Sequence, residues 1–254
     1  MESSSIVKAF RLLEELGGRQ SHVQLAVLAR ASGIPKVTAH RVLRQLCDIG
    51  YVEREEGGAY RLTSKIQQIS APPLARQLLA AAGLPLEELH RELGETVNLA
   101  VLRNGGVVYL RVVETIQPLR RVVEANCIDP FHCTALGRAI VSQMPRESIE
   151  ELIAREQKLK KLTTETVVDP VHLKEILDDV RRLGYAVERD ETDIGVTCIG
   201  APICAEARVV GAVSVSAPSA RLRGGLENQA IRAVKQAAAS INAKLSAQSN
   251  GSLS

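Results

Sequence analysis

The chain contains no tryptophan, two methionines and only 2% aromatic residues in 254. Proteins that hold single-stranded DNA or RNA by stacking bases need exposed Phe, Tyr or Trp, so the composition argues against that class. No apolar run approaches the roughly eighteen residues that a membrane helix requires. The opening segment MESSSIVKAFRLLEELGG has neither a basic start nor a continuous apolar stretch, so no secretory signal is expected. A cytoplasmic protein without a membrane partner is the expectation. Five cysteines, an odd number, then read as reduced thiols rather than a disulfide framework. No cysteine pair has the C-x2-C spacing of a zinc knuckle, so neither metal nor cofactor is expected and a buried structural thiol is the default. A net charge of +3 is too small to identify a partner, so the distribution of charge must do so.

Hydrophobic content of 45% with 24% charged residues is ordinary for a globular protein, and the length suits two domains, each with a core. The stretch GIPKVTAHRVLRQLCDIGYV shows where the charge gathers. Ala39, Val42, Leu43 and Leu46 fall at helical spacing and form one apolar stripe. The opposite face carries Val37, His40, Arg41 and Arg44, with no acid between Pro35 and Cys47. A solvated helix ordinarily mixes acids with bases there, because pairs at i, i+4 support it.

The surroundings give that face a purpose. A first helix over residues 5–16 is expected to turn Ile6, Val7, Phe10, Leu13 and Leu16 inward, stopping at Gly17-Gly18. Ser21 and Gln24 form a capping-box pattern for a second helix through Val23, Leu25, Leu28 and Ala29. After the third helix come YVERE and AYRLT around EGG, the pattern of a hairpin. Helix, helix, turn, helix, hairpin is the order of a winged helix-turn-helix, whose third helix enters the DNA major groove. The cationic edge is therefore expected to face phosphates and base edges.

The remainder reads as a second domain. Pro72-Pro73 interrupt any helix crossing TSKIQQISAPPLARQLLAA, so a linker is expected there, followed by a helix from Leu84 to Leu93. ETVNLAVLRNGGVVYLRVVE is a hairpin about Asn104-Gly105-Gly106. LRRVVEA is expected to be a strand, and HCTALGRAIVSQM a helix begun near Thr134. Helices over 146–157 and 170–183 follow, then strands in YAVERDE, VTCIGAPICAE and VVGAVSVSAPS, and a last helix from Leu226 to about Leu245. Antiparallel hairpins with helices beside them make an α+β architecture. The expected division is a DNA-binding domain over 1–65, a linker over 66–83, an effector and oligomerisation domain over 84–248, and a disordered tail over 249–254.

Three segments of that domain invite chemistry. HCTALGRA leads into a helix whose early N–H groups suit an anion, or else are simply capped by Thr134. ERDETDIGVTCIGAPI is an acidic turn entering a buried strand with a thiol. In GAVSVSAP, Ser214 and Ser216 share one strand face while Val213 and Val215 take the other. Two buried hydroxyls need partners, which a polar ligand or neighbouring backbone would supply. Cys198 and Cys204 share a face on strict alternation and separate only if a bulge intervenes.

These segments together resemble the isocitrate-lyase-regulator (IclR) family of bacterial transcription factors. The resemblance runs from Ser5 to Leu245 and rests on SIVKAFRLLEEL, IPKVTAHRVLRQLCDIGYVE with YRL, GETVNLAVL, HCTALGRA, GYAVERDETDIGVTCIGAPI and VVGAVSVSAPSARL. It implies a winged helix-turn-helix, a linker helix used in dimerisation and a GAF/profilin-like effector domain. It also implies dimers or dimers of dimers on pseudo-palindromic double-stranded operator DNA, controlled by a small carboxylate or aromatic acid, in a regulator rather than an enzyme. Carried over by position, Lys36, Thr38, His40 and Arg41 would contact DNA beside Arg44, with Arg54 and Arg61 on the wing. Thr134, Ala135, Leu136, Glu188, Cys198, Ser214 and Ser216 would line the effector pocket. A repressor is expected, with an activator of the same family or a thiol- or metal-dependent redox sensor as alternatives. Val37 stands where the family usually has Ser, replacing a hydroxyl with an apolar group suited to a thymine methyl.

Overall fold

The computed structural model describes residues 4–18, 22–55, 57–63, 65–66, 73–120, 128–156 and 158–251. The chain divides into two compact units, residues 1–71 and 72–254.

In the first unit, helix α1 (Ser5–Gly17) begins at Ser4, whose side chain accepts the Val7 N–H. Its buried residues are Leu12 and Leu16, with Ala9 and Leu13 packed beside them. The expected inward set was wrong for three positions: Ile6, Val7 and Phe10 are 69, 43 and 59% exposed. The helix carries two overlapping apolar stripes, and the one containing small Ala9 faces the core.

The second helix also starts later than its sequence suggests. Val23–Gln24 form a short strand, β1, paired with β3 (Ala59–Leu62), and α2 runs from Leu25 to Ser32. Gln24 makes no side-chain cap, and Ser21 lies outside the described residues. Gly33 ends α2 at φ +67°, a left-handed conformation that costs a glycine little. Helix α3 (Lys36–Asp48) follows, burying Ala39, Val42, Leu43 and Leu46. Strand β2 (Val52–Arg54) pairs with β3 to complete a three-stranded sheet ordered β1-β3-β2. The core joins these elements through Leu12, Leu28, Leu43, Val52 and Tyr60.

The second unit opens with α4 (Pro73–Leu93), one helix with Pro85 inside it. This corrects the expected start at Leu84. Pro73 stands at the helix start, where a missing N–H costs nothing, and LARQLLAAAGL is rich in helix formers. An interior proline costs about 3 kcal/mol, and burial of Ala75, Leu78, Ala82, Leu86 and Leu89 offsets it.

Strands β4 (Thr96–Arg103), β5 (Gly106–Val113), β6 (Ile128–Pro130), β7 (Ala186–Arg189), β8 (Val196–Ala205) and β9 (Arg208–Pro218) form one antiparallel sheet, ordered β6-β5-β4-β9-β8-β7. The two tight hairpins turn at Asn104-Gly105 and Glu206-Ala207, all at positive φ as type I′ geometry demands. The strand expected in LRRVVEA falls largely at 121–125, outside the described residues.

Helices α5 (Ala135–Val141), α6 (Arg146–Arg155) and α7 (Pro170–Leu183) are followed at the end of the chain by α8 (Gly225–Gly251). That last helix continues past the expected end at Leu245 through residues 249–251, while 252–254 lie outside the described set. Strand parity separates the two faces of the sheet. A Cβ on Gly200 would stand 2.9 Å from the Ala135 carbonyl oxygen, so that face is pressed against α5. A Cβ on Gly211 would stand 2.9 Å from the Leu78 side chain, so the other face meets α4. A register shift between Ile203 and Cys204 is the bulge that breaks strict alternation between the two cysteines of β8.

Candidate functional site

The first unit presents a cationic face on α3. Lys36, His40, Arg41 and Arg44 are exposed, Thr38 is half-buried and Val37 is 84% exposed. Their spacing is the complement of the buried stripe, so anchoring Val42, Leu43 and Leu46 in the core fixes the direction of the cations. Among the described residues, none of Lys36, Arg41 and Arg44 has an ion pair. On the wing, Arg54 lies 5.8 Å from the centre of the Tyr60 ring. Arg61 is ion-paired with Glu53, its direct cross-strand neighbour. The wing arginines are therefore partly engaged, whereas Lys36, Arg41 and Arg44 have no ion pair among the described residues.

The second unit contains a small cavity between the sheet and the start of α5. Its volume is about 10 Å³, room for about one water, and its lining includes Thr134, Ala135, Leu136, Glu188, Cys198, Ser214 and Ser216. All seven positions named from the sequence thus converge, from three separate stretches of chain. Two further lining residues, Tyr109 and Thr192, were not anticipated.

The convergence follows from register. Ser214 and Ser216 alternate with the buried valines of β9, Cys198 is paired with Ser216 across the ladder, and Glu188 with Cys198. Behind the serines, Asn98 of β4 donates from Nδ2 to both hydroxyl oxygens, at 3.3 and 3.0 Å, while its Oδ1 is buried without a partner. Asn98 was legible as a lone amide in an apolar strand, a residue type that must find partners when buried. The Cys198 thiol donates to Ser216 at 3.2 Å. Thr134 caps α5 by accepting the Gly137 N–H at 3.1 Å.

Glu188 is fully buried. Its Oε1 accepts the N–H groups of Glu191 and Thr192 at 2.8 and 3.0 Å and the Thr192 hydroxyl at 3.3 Å. Its Oε2 has no hydrogen-bond partner. Burial raises this carboxyl above its ordinary value, and the N–H groups of Thr192 and Glu191 oppose the shift, together with the Cys198 thiol, whose single proton serves either Glu188 or Ser216. Beside it, Arg138 and Glu191 form a buried bidentate pair, Nη1 to Oε1 at 2.5 Å and Nη2 to Oε2 at 2.6 Å. Arg138 Nε also reaches the His132 carbonyl at 2.7 Å, and Glu191 Oε2 accepts the Val167 N–H at 3.0 Å. The acidic turn is thereby fastened to α5. Nothing in local sequence pairs Arg138 with Glu191, since the partners are far apart in the chain.

Burial pushes the Cys133 thiol up to about 12, and also raises Cys204 and Cys47. Cys127 lies outside the described residues. Among the described residues no group of three or more His, Cys, Asp and Glu could hold a metal, and no helix is long and apolar enough to cross a membrane. A second, wider cavity of about 420 Å³ lies between the start of α4 and the ends of β4 and α5, lined by Leu74, Val101, Ile140, Met144 and Val209 with Arg103. None of the predicted positions borders it.

Residues 75–243 match the family model for the C-terminal part of the bacterial transcriptional regulator IclR, and residues 5–56 match the IclR helix-turn-helix domain. The chain belongs to the IclR family. Its IclR-family relatives include the glycerol operon regulatory protein of Streptomyces coelicolor, 33% identical over 248 residues and covering 96% of both chains. The transcriptional repressor IclR of Escherichia coli is 31% identical over 223 residues, covering 86% of this chain and 81% of that one. Among solved structures, Thermotoga maritima IclR is similar with a TM-score of 0.69 at 26% identity, covering 95% of this chain and 98% of that one. An IclR homologue from Microbacterium hydrocarbonoxydans, complexed with 4-hydroxybenzoate, gives 0.64 at 26% identity, covering 96% and 100%. The protein is accordingly a DNA-binding transcriptional regulator, in a family of regulators rather than enzymes.

Proposed function

We propose that this regulator is a cytoplasmic repressor that grips a pseudo-palindromic operator as a dimer and is controlled by a small organic acid held in the cavity beside α5. The exposed cationic face of α3, without ion pairs among the described residues, carries the DNA-binding part of this reading. Lys36, Thr38, His40, Arg41 and Arg44 project from one side of a helix whose other side is locked in the core. Such a helix neutralises phosphates and reads base edges without first giving up internal ion pairs. Arg54 and Arg61 assist from the wing, Arg61 exchanging Glu53 for a phosphate.

Repression is favoured by relatives that are named as repressors, among them the transcriptional repressor IclR of Escherichia coli and the acetate operon repressor of Salmonella typhimurium. Control by an organic acid is supported by the 4-hydroxybenzoate complex of the Microbacterium homologue and by the two serine hydroxyls facing one cavity. Self-association is supported by Ile6, Val7 and Phe10, an exposed apolar group on a helix of the DNA-binding unit. Control through oxidation of Cys133 or Cys198 is disfavoured, because Cys133 is buried with its thiolate suppressed and Cys198 is buried among hydrogen-bonding neighbours.

The decisive test is operator binding by an Arg41→Ala variant across a salt series. A loss of about 1–3 kcal/mol, confined to operator sequence, is expected if Arg41 reads a base. A uniform loss with a shallower salt slope would assign it to phosphate. Unchanged binding on both counts would remove Arg41 from the interface.

A further inference from the structure

We propose that the cavity beside α5 selects a small hydroxy acid, its carboxylate received by Ser214 and Ser216 and its hydroxyl donated to Glu188 Oε2. The inference rests on the acid-effector reading and adds the chemical class of that acid.

The argument is an account of hydrogen-bonding capacity. Ser214 and Ser216 already accept from Asn98 Nδ2, and Ser216 also from the Cys198 thiol. Each hydroxyl therefore has its own proton left to give, and two donors on one strand face match a carboxylate. The opposite requirement stands across the cavity. Glu188 Oε1 is saturated by three donors from the acidic turn, whereas Oε2 is buried and bare. A buried acceptor without a partner is costly, and a ligand that supplies the donor recovers that cost on binding.

A simple or oxo acid offers Glu188 only oxygen lone pairs. It binds either beside a like charge or by bringing a proton to Glu188. A hydroxy acid satisfies both walls with no proton uptake. Sites built to hydrogen-bond a hydroxyl reject analogues that lack it far more strongly than apolar pockets reject a missing methylene. With about 10 Å³ open, the members of the class that fit with least rearrangement are the smallest.

The proton route also predicts how pH acts. The groups near Glu188 are Glu191, already engaged by Arg138, the thiols Cys133 and Cys198, and Tyr109, whose hydroxyl donates to Asp129 at 2.6 Å. Glu188, which lines the cavity, is the carboxyl among them with a buried oxygen that lacks a hydrogen-bond partner, and burial favours its protonated form. Oxo acids consequently gain as pH falls and lose as it rises, while hydroxy acids change less.

Titration calorimetry of the full-length protein with lactate, glycerate, pyruvate and propionate at pH 6 and pH 8 tests this. At pH 8 lactate or glycerate is expected to bind at least ~tenfold more tightly than pyruvate or propionate. The gap should narrow at pH 6. Glu188→Gln keeps an oxygen for the turn and places an amide donor at the bare position, so it should reverse the preference toward pyruvate. Acids that bind with equal affinity at both pH values, with the same ranking in the variant, would overturn the inference and leave the acid reading intact. If no acid of the four binds, the acid reading falls and takes the inference with it. Should the variant not fold, the pH dependence of the parent decides alone.

Discussion

At the scale of single residues, the second unit is organised around charges largely withdrawn from water. Arg138 and Glu191 have 2 and 9% of their side-chain surface exposed. A pair of this kind is weak evidence of net stabilisation, because desolvating both ions consumes much of what their attraction returns. Its asymmetry is informative. Glu191→Leu leaves a guanidinium buried and unneutralised, and urea unfolding should show a loss of about 3–5 kcal/mol. Adding Arg138→Met removes the stranded charge and should restore a substantial share of that loss. The remainder reflects the Val167 N–H and His132 carbonyl, which then lack their partners. Strictly additive costs for the two substitutions would mean that the ions act independently and that the turn is held by something else.

At the scale of elements, close approach of backbones decides where the cavity sits. Gly137 is in the first turn of α5, and a Cβ there would stand 2.3 Å from the Phe131 carbonyl oxygen and 2.4 Å from its Cα. No side-chain rotation relieves a contact with backbone. Gly137→Ala should therefore cost about 1–3 kcal/mol through overpacking, and displace Thr134, Ala135 and Leu136 from the cavity wall. Thermal unfolding and effector affinity should fall together, while a variant stable to within experimental error would show that α5 shifts freely. Such contacts explain what the sequence could and could not reveal. The stripe of α3 was legible because Ala39, Val42, Leu43 and Leu46 leave no competing apolar face. The alternation of β9 was legible because Ser214 and Ser216 interrupt a run of small apolar residues. In α1 two stripes compete, and tertiary packing against α2 and α3 settled which was buried. In α4, Pro72-Pro73 and Pro85 signalled breaks that helix propensity and burial overrode. The seven cavity positions were reached from motifs and from family resemblance, whereas Tyr109 and Thr192 carry no local signal, and the Arg138–Glu191 pair exists only through the fold.

At the scale of the whole molecule, two cores sit in one chain. Leu12, Leu28 and Leu43 anchor one, while Ala135, Ala139, Val180 and Ala212 belong to the other unit. Each unit buries its own apolar surface, so each supplies its own cooperative transition rather than a share of a common one. Leu43→Ala, at a fully buried position, should cost about 2–5 kcal/mol and lower the melting of residues 1–71 while leaving the second transition in place. A bound acid should do the reverse. A ligand at about 100 times its dissociation constant adds ~2.7 kcal/mol to the state that binds it, and that increment should raise only the transition of residues 72–254. Scanning calorimetry with and without ligand, on parent and variant, separates the two effects. The same experiment bears on regulation, because a ligand alters operator affinity only by favouring one of two states that differ in their grip on DNA. If the acid raised both transitions equally, the two units would not unfold independently, and the assignment of the acid to residues 72–254 would lose this support.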